Sequence, residues 1–409
     1  PLKVFRGKKS APPSRVETID AEGNPVVYSD KHGVESAASE HLLERFKTAR
    51  TCPFEEGGLH EDFAFKASTQ ATDEVFNGTY VPPEDADATA VHYLEEAKLL
   101  WDEHQTIIDV TFTPKDYSWW QTAREKTESS KSGIHFGHYK AQSFSKLLTS
   151  IQVLKLNLVY KRGRPLRRWL HALTLLLAKK AGGSSIDKLR AICLLEADCN
   201  WSFKVIFAKK TMANANDHDL IPPELFARSG TSATQGCFAR IMWCDVNRTL
   251  NNSFSVQSCD LGQCYDAINH VAASIALQSF GVPKKAVDIM HTVLQEMQFW
   301  LRTAFGDSDV PFGGSALDPT MGEGQGSGAA PPTFTSMSTV MIRLLKKHGF
   351  HSELKGSWSD AIICILAILY VDDIDMLLAA LSAQDNDEFI EMVQKAITEW
   401  GKIVMVTGG

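Results

Sequence analysis

The sequence has no uninterrupted apolar run of the roughly 18 residues that a membrane-spanning helix needs. Its longest attempt, Ala361 to Val371, is 11 residues and runs straight into Asp372 and Asp373. A membrane partner is therefore excluded. C-x2-C pairs are also missing. The eight cysteines fall at 52, 193, 199, 237, 244, 259, 264 and 364, and the C-x4-C of Cys259 and Cys264 has no His pair at finger distance, so the usual zinc spacings are incomplete. Eight cysteines in 409 residues are too few for a disulfide framework and read as reduced, mostly buried thiols of an intracellular protein, nucleus or cytoplasm left open. No internal repeat and no charged-then-apolar leader occurs. The chain begins with Pro and stops at Val406-Thr407-Gly408-Gly409, which reads as an internal fragment. With 44% hydrophobic, 22% charged and 9% aromatic residues, collagen-like, mucin-like and wholly disordered classes are out, and the length allows two or three domains.

Charge is distributed unevenly. Ala141 to Gly230 holds 15 Lys+Arg against 6 Asp+Glu, a local net of +9, which leaves −16 on the remainder of a chain whose total is −7. The densest patch is Lys161-Arg162-Gly163-Arg164-Pro165-Leu166-Arg167-Arg168. Field strength is local on the scale of a Debye length, so an acidic protein can bind a polyanion at one basic block. A solvated surface loop is the plain alternative.

The periodicities indicate an α+β chain in which helices surround a small antiparallel sheet. Helices are expected over Val34 to Ala49, Ala86 to His104, Ser202 to Met212, Thr231 to Leu250, Val271 to Phe280, Lys284 to Met297, Pro332 to Lys347 and Asp387 to Trp400. Thr113-Pro114-Lys115-Asp116 is a helix start, with Thr as N-cap and Pro in the first turn. It leads into Trp119 and Trp120, read as core with base stacking as the alternative. Trp169 to Leu177 and Leu189 to Leu195 read as a strand-turn-strand unit with a basic tip. Further strands are expected at Ser253 to Cys259, Phe299 to Phe305, Val310 to Ala316, Ile362 to Leu369 and Ile374 to Leu381. The expected divisions are an acidic, turn-rich and helical region at 1–110, a region at 111–250 that holds the basic block and an acid-bearing region at 251–409.

Three acids fall where strands should end: Asp260, and the pair Asp372-Asp373 between two apolar runs. Adjacent like charges at a hairpin tip repel unless cations are bound there, and hard divalent ions accept carboxylate oxygens readily. Two such ions can serve in-line phosphoryl transfer. A plain hairpin turn, where Asp is common, is the alternative.

The surrounding motifs carry a family resemblance. Tyr370-Val371-Asp372-Asp373 resembles the YxDD box of reverse transcriptases, and Asp260-Leu261-Gly262-Gln263-Cys264-Tyr265-Asp266 their DLxxAFD box. Gln325-Gly326-Ser327-Gly328-Ala329-Ala330-Pro331 is similar to their QG box ahead of a helix. Leu189 to Leu195 resembles the YRPISLL segment, and Phe226 to Ser232, more loosely, the FRxGRST segment. The five stand in family order over a little under half of the chain and most resemble the non-LTR retrotransposon type.

The resemblance implies a right-hand polymerase fold, fingers and palm, with a small antiparallel palm sheet flanked by helices. It implies RNA-directed DNA polymerisation with two Mg2+ ions (Mn2+ as substitute), an RNA template, a DNA or RNA primer and dNTPs. Asp260, Asp372 and Asp373 would be catalytic and metal-binding, with the Leu261 carbonyl as a further ligand. Lys180 (or Lys179), Arg190, Tyr265, Gln325 and Gly326 would meet the nucleotide, Tyr265 as the ring that crowds a 2′-hydroxyl. Arg162, Arg167, Arg168 and Arg228 would meet nucleic acid. Departures from the family pattern are Ala191, Cys193, Ala227, Cys264 and Tyr265, and Gly133 to Lys140 replaces a GPDG-like turn. In that segment His135 and His138 read as loop residues, not as ligands. The resemblance implies that the chain stops before the thumb and carries no endonuclease or RNase H domain. An RNA-dependent RNA polymerase and a silent RNA-binding derivative are the alternatives; Tyr265 and Val371 count against the first, the intact acids against the second.

Overall fold

Two units, each assembled from three separated stretches of chain, make up the structure, a computed structural model that describes residues 12–409 except 21, 49, 66–68, 126–129, 179–182, 263–264, 351, 356–361 and 381–385. The first unit is Pro1–Lys47, Val110–Ile206 and Asp288–Ala330; the second is Thr48–Asp109, Phe207–Val287 and Pro331–Gly409. The consecutive divisions 1–110, 111–250 and 251–409 do not coincide with these units. Pairing of sequence-distant strands and helices, which no local composition shift announces, decides which stretches share a core.

In the first unit, strand His171–Ala178 pairs antiparallel with Leu189–Leu194 and parallel with Gln298–Thr303, so this sheet is mixed and not purely antiparallel. Gln298–Thr303 also pairs with Gly306–Asp307 and Phe312–Gly313. The strand expected over Val310 to Ala316 shrinks to those last two residues. A hairpin of Val16–Ile19 and Pro25–Tyr28, not anticipated from the turn-rich sequence, precedes helix Lys31–Arg45. Thr113 is the N-cap, as expected, and with Asp116 forms a capping box, each side chain satisfying the other's backbone N–H. The tryptophan pair then divides. Trp120 is fully buried, stacked on Tyr139 at 4.7 Å and tilted against Trp201, whereas Trp119 is exposed. Gly133 to Lys140 is only partly loop, since helix Phe136–Ser143 begins inside it.

The second unit is built on a three-stranded antiparallel sheet in the order Ala367–Tyr370, Asp373–Ala379, Phe254–Asp260. Side chains alternate across it as the pleat requires. Leu369, Ile374, Met376 and Leu378 enter the main core with helices Ala88–Asp102, His270–Ser279 and Asn386–Val406. Ile368 and Leu377 face the other way, onto Trp243 of helix Ala233–Thr249. Gly236 allows that helix its close approach, because a Cβ there would lie 3.2 Å from Ile368 and 3.3 Å from Phe226. The apolar run expected as one strand from Ile362 to Leu369 breaks at Leu366. Ile362–Ile365 instead pairs with Ser352–Lys355, and Ala367–Tyr370 joins the sheet. The helix expected over Ser202 to Met212 begins earlier, as Ala197–Phe203, and widens to π geometry over Lys204–Thr211 before Met212–Asp217.

Seven cysteines lie among the described residues. None of them is joined in a disulfide, and Cys52, Cys193 and Cys199 are the buried ones, so the general burial expected of them does not hold. Among the described residues no helix is long and apolar enough to cross a membrane.

Candidate active site

Strand Phe254–Asp260 alternates until Asp260, which lies directly opposite Asp373 on the neighbouring strand. Asp373 in turn pairs with Tyr370, leaving Val371 and Asp372 as a two-residue hairpin loop. The Leu261 N–H donates to the Asp372 carbonyl at 3.2 Å, which ties the end of one strand to the turn between the other two. Asp260, Asp372 and Asp373 are thus gathered at one end of a single sheet although more than a hundred residues separate them in sequence. All three are exposed, and among the described residues none is in an ion pair. Directly opposed residues point to the same face of an antiparallel pair, so the Asp260 and Asp373 side chains share one face. Among the described residues the three carboxylates do not form a set with all donor atoms within 4.8 Å of one another.

Tight two-residue hairpins need positive φ, usually met by Asn or Gly. Here Val371 adopts φ +61°. A β-branched residue in the left-handed region is strained by about 1–3 kcal/mol, and such strain persists only where the surroundings over-determine it. The flanking strand pairs and the Leu261 to Asp372 hydrogen bond do so here.

One step further down the same face, Asp375 lies opposite Ser258 and Ile368. Its carboxylate accepts from the Ser258 hydroxyl and from Arg240 Nη1 at 2.8 Å. Asp375 is therefore held by a basic neighbour, unlike the three acids at the sheet end. Burial, and then the charge of Asp375, raise the Cys259 thiol on the adjacent position. A cleft of about 320 Å³ opens between the first turns of helix Ala233–Thr249 and this face, lined by Gly236, Arg240, Ser258, Tyr370, Asp373 and Asp375.

Tyr265 lies in a small apolar pocket with Leu225, Ala227, Leu369 and Val371, its ring edge-on to Phe334 at 6.0 Å between centroids. It is half-buried, beside the strained residue of the acid turn. Asp266 is fully buried. Arg228 donates through Nη1 to the Ile221 carbonyl at 3.0 Å and so helps to hold its own loop. That loop continues the sheet, since the Leu369 N–H donates to the Glu224 carbonyl and the Phe226 N–H to the Leu369 carbonyl, both at 2.8 Å. The Glu224 side chain is buried beside Lys346. Nothing in the local sequence marks that ion pair.

In the first unit, Arg190 is exposed on strand Leu189–Leu194, opposite Leu177. Three residues on, the Cys193 N–H donates to the Gln325 carbonyl at 2.7 Å. Gly326 has φ +115° with its Cα close to the Cys193 carbonyl, where a Cβ would approach to 2.6 Å, so only glycine fits. Asn200 clamps the loop, donating to the Gly326 carbonyl at 3.1 Å and accepting from the Gly328 N–H at 2.6 Å. Arg190, Gln325 and Gly326 are thereby brought onto neighbouring segments of one unit. Lys179 and Lys180, like Gln263 and Cys264, lie outside the described residues.

The basic block divides by function. Arg162 and Arg167 are exposed. Arg168 instead turns into its own unit, where its guanidinium bridges Glu196 (2.7 Å) and Asp198. Lys155 Nζ and Trp169 Nε1 complete the shell of Asp198 at 2.9 and 3.0 Å. Burial by itself raises the Asp198 carboxyl, but the two cations beside it outweigh burial and hold it below the usual carboxylate range. Arg168, expected at nucleic acid, thus shares its charge with two buried acids of its own unit. His135 and His138 likewise have a structural use: His138 Nδ1 accepts from the His135 N–H at 3.1 Å, at the start of helix Phe136–Ser143.

No protein-family model matches the chain, and no curated protein does. Among solved structures it is similar to the telomerase from Candida albicans in complex with a TWJ fragment of telomeric RNA. That similarity has 11% identity and a TM-score of 0.39, and it covers 68% of this chain and 47% of that one. The chain thus spans under half the length of that telomerase chain, and an overlap of this size establishes neither a shared fold nor a shared activity.

Proposed function

We propose that the chain is the fingers and palm of an RNA-directed DNA polymerase of retroelement type, with the second unit as palm. The observation that carries this reading is the pairing of Asp260 with Asp373 and the tethering of Leu261 to Asp372, which put three exposed carboxylates at one sheet end. An all-oxygen, exposed donor set suits Mg2+ or Mn2+. Asp260, Asp372 and Asp373 would hold the ions, with the Leu261 carbonyl as a further donor. Bound there, divalent cations polarise a primer 3′-hydroxyl and offset the charge of a triphosphate. Tyr265, packed against Phe334 and Val371, is assigned to exclude a 2′-hydroxyl by overlap. In the first unit, Arg190 (with Lys180) is assigned to phosphate oxygens, and Gln325-Gly326 to the floor under the incoming base. Arg162, Arg167 and Arg228 are assigned to nucleic-acid backbone.

Primer extension on an RNA template, with dNTPs and NTPs offered separately, tests the reading. Asp260→Asn and Asp372→Asn are each expected to abolish incorporation and to weaken Mn2+ binding, with the melting temperature unchanged or higher because a repelling charge is gone. Variants that retain incorporation and Mn2+ affinity would refute the assignment. Tyr265→Val is expected to raise NTP use relative to dNTP by roughly tenfold, about 1.4 kcal/mol. An unchanged ratio with equal loss on both substrates would make Tyr265 a packing residue.

A further inference from the structure

Helix Lys146–Arg162 of the first unit is apolar on two sides. Thr149, Val153, Leu156, Val159 and Tyr160 are buried within the unit. On the outward side Leu147, Ile151, Leu154 and Leu158 are between 41% and 69% exposed, and Leu148 beside them is exposed as well. Single exposed leucines are ordinary. These four are spaced four, three and four residues apart, which is the a/d repeat of a coiled-coil seam. The seam runs about 16 Å at 1.5 Å per residue, long enough for a partner helix of about three turns. Ser145 caps the helix start and Gly163, at φ +67°, ends it, so the ridge stands on a helix whose limits are set from within the chain.

Charge narrows the occupant. Between Ser129 and Ile186 the sequence has no Asp or Glu. Lys146 and Lys161 are exposed at the two ends of the seam, while Lys155 is turned inward onto Asp198. We propose that this face docks an amphipathic helix of a partner protein that carries apolar a and d positions flanked by Asp or Glu. A second copy of the chain would set cations against cations. A lipid surface is the poorer fit, because no Trp or Tyr stands on the outward side as an interfacial anchor and the ridge has the regular repeat that knobs-into-holes packing uses. This proposal does not depend on the polymerase reading.

The test uses the whole chain and three probes: a four-heptad peptide with Leu at a and d and Glu at e and g, its twin with Lys at e and g, and phosphatidylcholine vesicles containing phosphatidylserine. Fluorescence anisotropy is expected to show binding of the Glu peptide, weakening as salt rises, with the Lys twin at least roughly tenfold weaker. Ile151→Ser with Leu154→Ser is expected to abolish that binding without lowering the melting temperature, since both side chains are exposed. A nitroxide attached through Leu154→Cys is expected to lose mobility when the Glu peptide is added, which reads the same docking without the double variant. The proposal is overturned if the Glu peptide does not bind, if the twins bind equally, if the double variant binds as before or if the label is unaffected. Stronger uptake by vesicles, or a dimer of the chain that the double variant dissolves, would overturn it equally.

Discussion

Replacing Arg168 by alanine tests the buried charge network of the first unit. Glu196 and Asp198 are 0% and 1% exposed, and two cations, Arg168 and Lys155, stand against them. Arg168→Ala removes the only one of the two that bridges both acids and leaves the cluster with an uncompensated buried charge. Breaking a buried pair in this way costs about 3–5 kcal/mol. Because the Arg168 side chain keeps 29% of its exposure, water can enter, and the lower end, about 3 kcal/mol, is expected. Arg168→Lys keeps the charge but cannot fork between two carboxylates, so an intermediate loss of roughly 1–2 kcal/mol should result. The effect depends on pH with a definite sign. The folded-state pKa of Asp198 is lowered from 3.8, so its contribution is full above that value and fades as pH falls below it. The gap between wild type and Arg168→Ala should accordingly be widest at neutral pH and close under acid conditions. Urea unfolding followed through the emission of buried Trp120, Trp169 and Trp201 measures it. A loss under about 1 kcal/mol at neutral pH, or a gap that widens on acidification, would refute the network. So would an RNA-binding defect in Arg168→Lys with no loss of stability.

Two further outcomes are expected. Gly236→Leu should destabilise the second unit by about 1–3 kcal/mol, seen as a lower urea midpoint, because its side chain must displace Ile368 and Phe226; an unchanged midpoint would mean that the helix is free to move off the sheet. Arg162→Gln with Arg167→Gln should weaken RNA binding and reduce its log–log salt slope by roughly one for each phosphate no longer neutralised, whereas an unchanged slope in a filter-binding titration would return these residues to an ordinary solvated surface.

The local elements and the identity of the acids are legible in the sequence. Alternation from Ser253 to Cys259 ending in an Asp, and two apolar runs around Asp372-Asp373, specify strand ends because side-chain period and turn chemistry are short-range properties. Thr113-Pro114-Lys115-Asp116 is legible for the same reason. What those elements meet is set by long-range packing. The register that sets Asp373 against Asp260, the break at Leu366 and the assembly of each unit from three distant stretches depend on packing that no window of sequence contains. Arg167 and Arg168 show the limit most clearly. They are adjacent and chemically identical, yet one is exposed while the other is held by Glu196 and Asp198. Charge is written in the sequence, but whether a charge is available to a ligand depends on which buried partners the fold has already placed beside it.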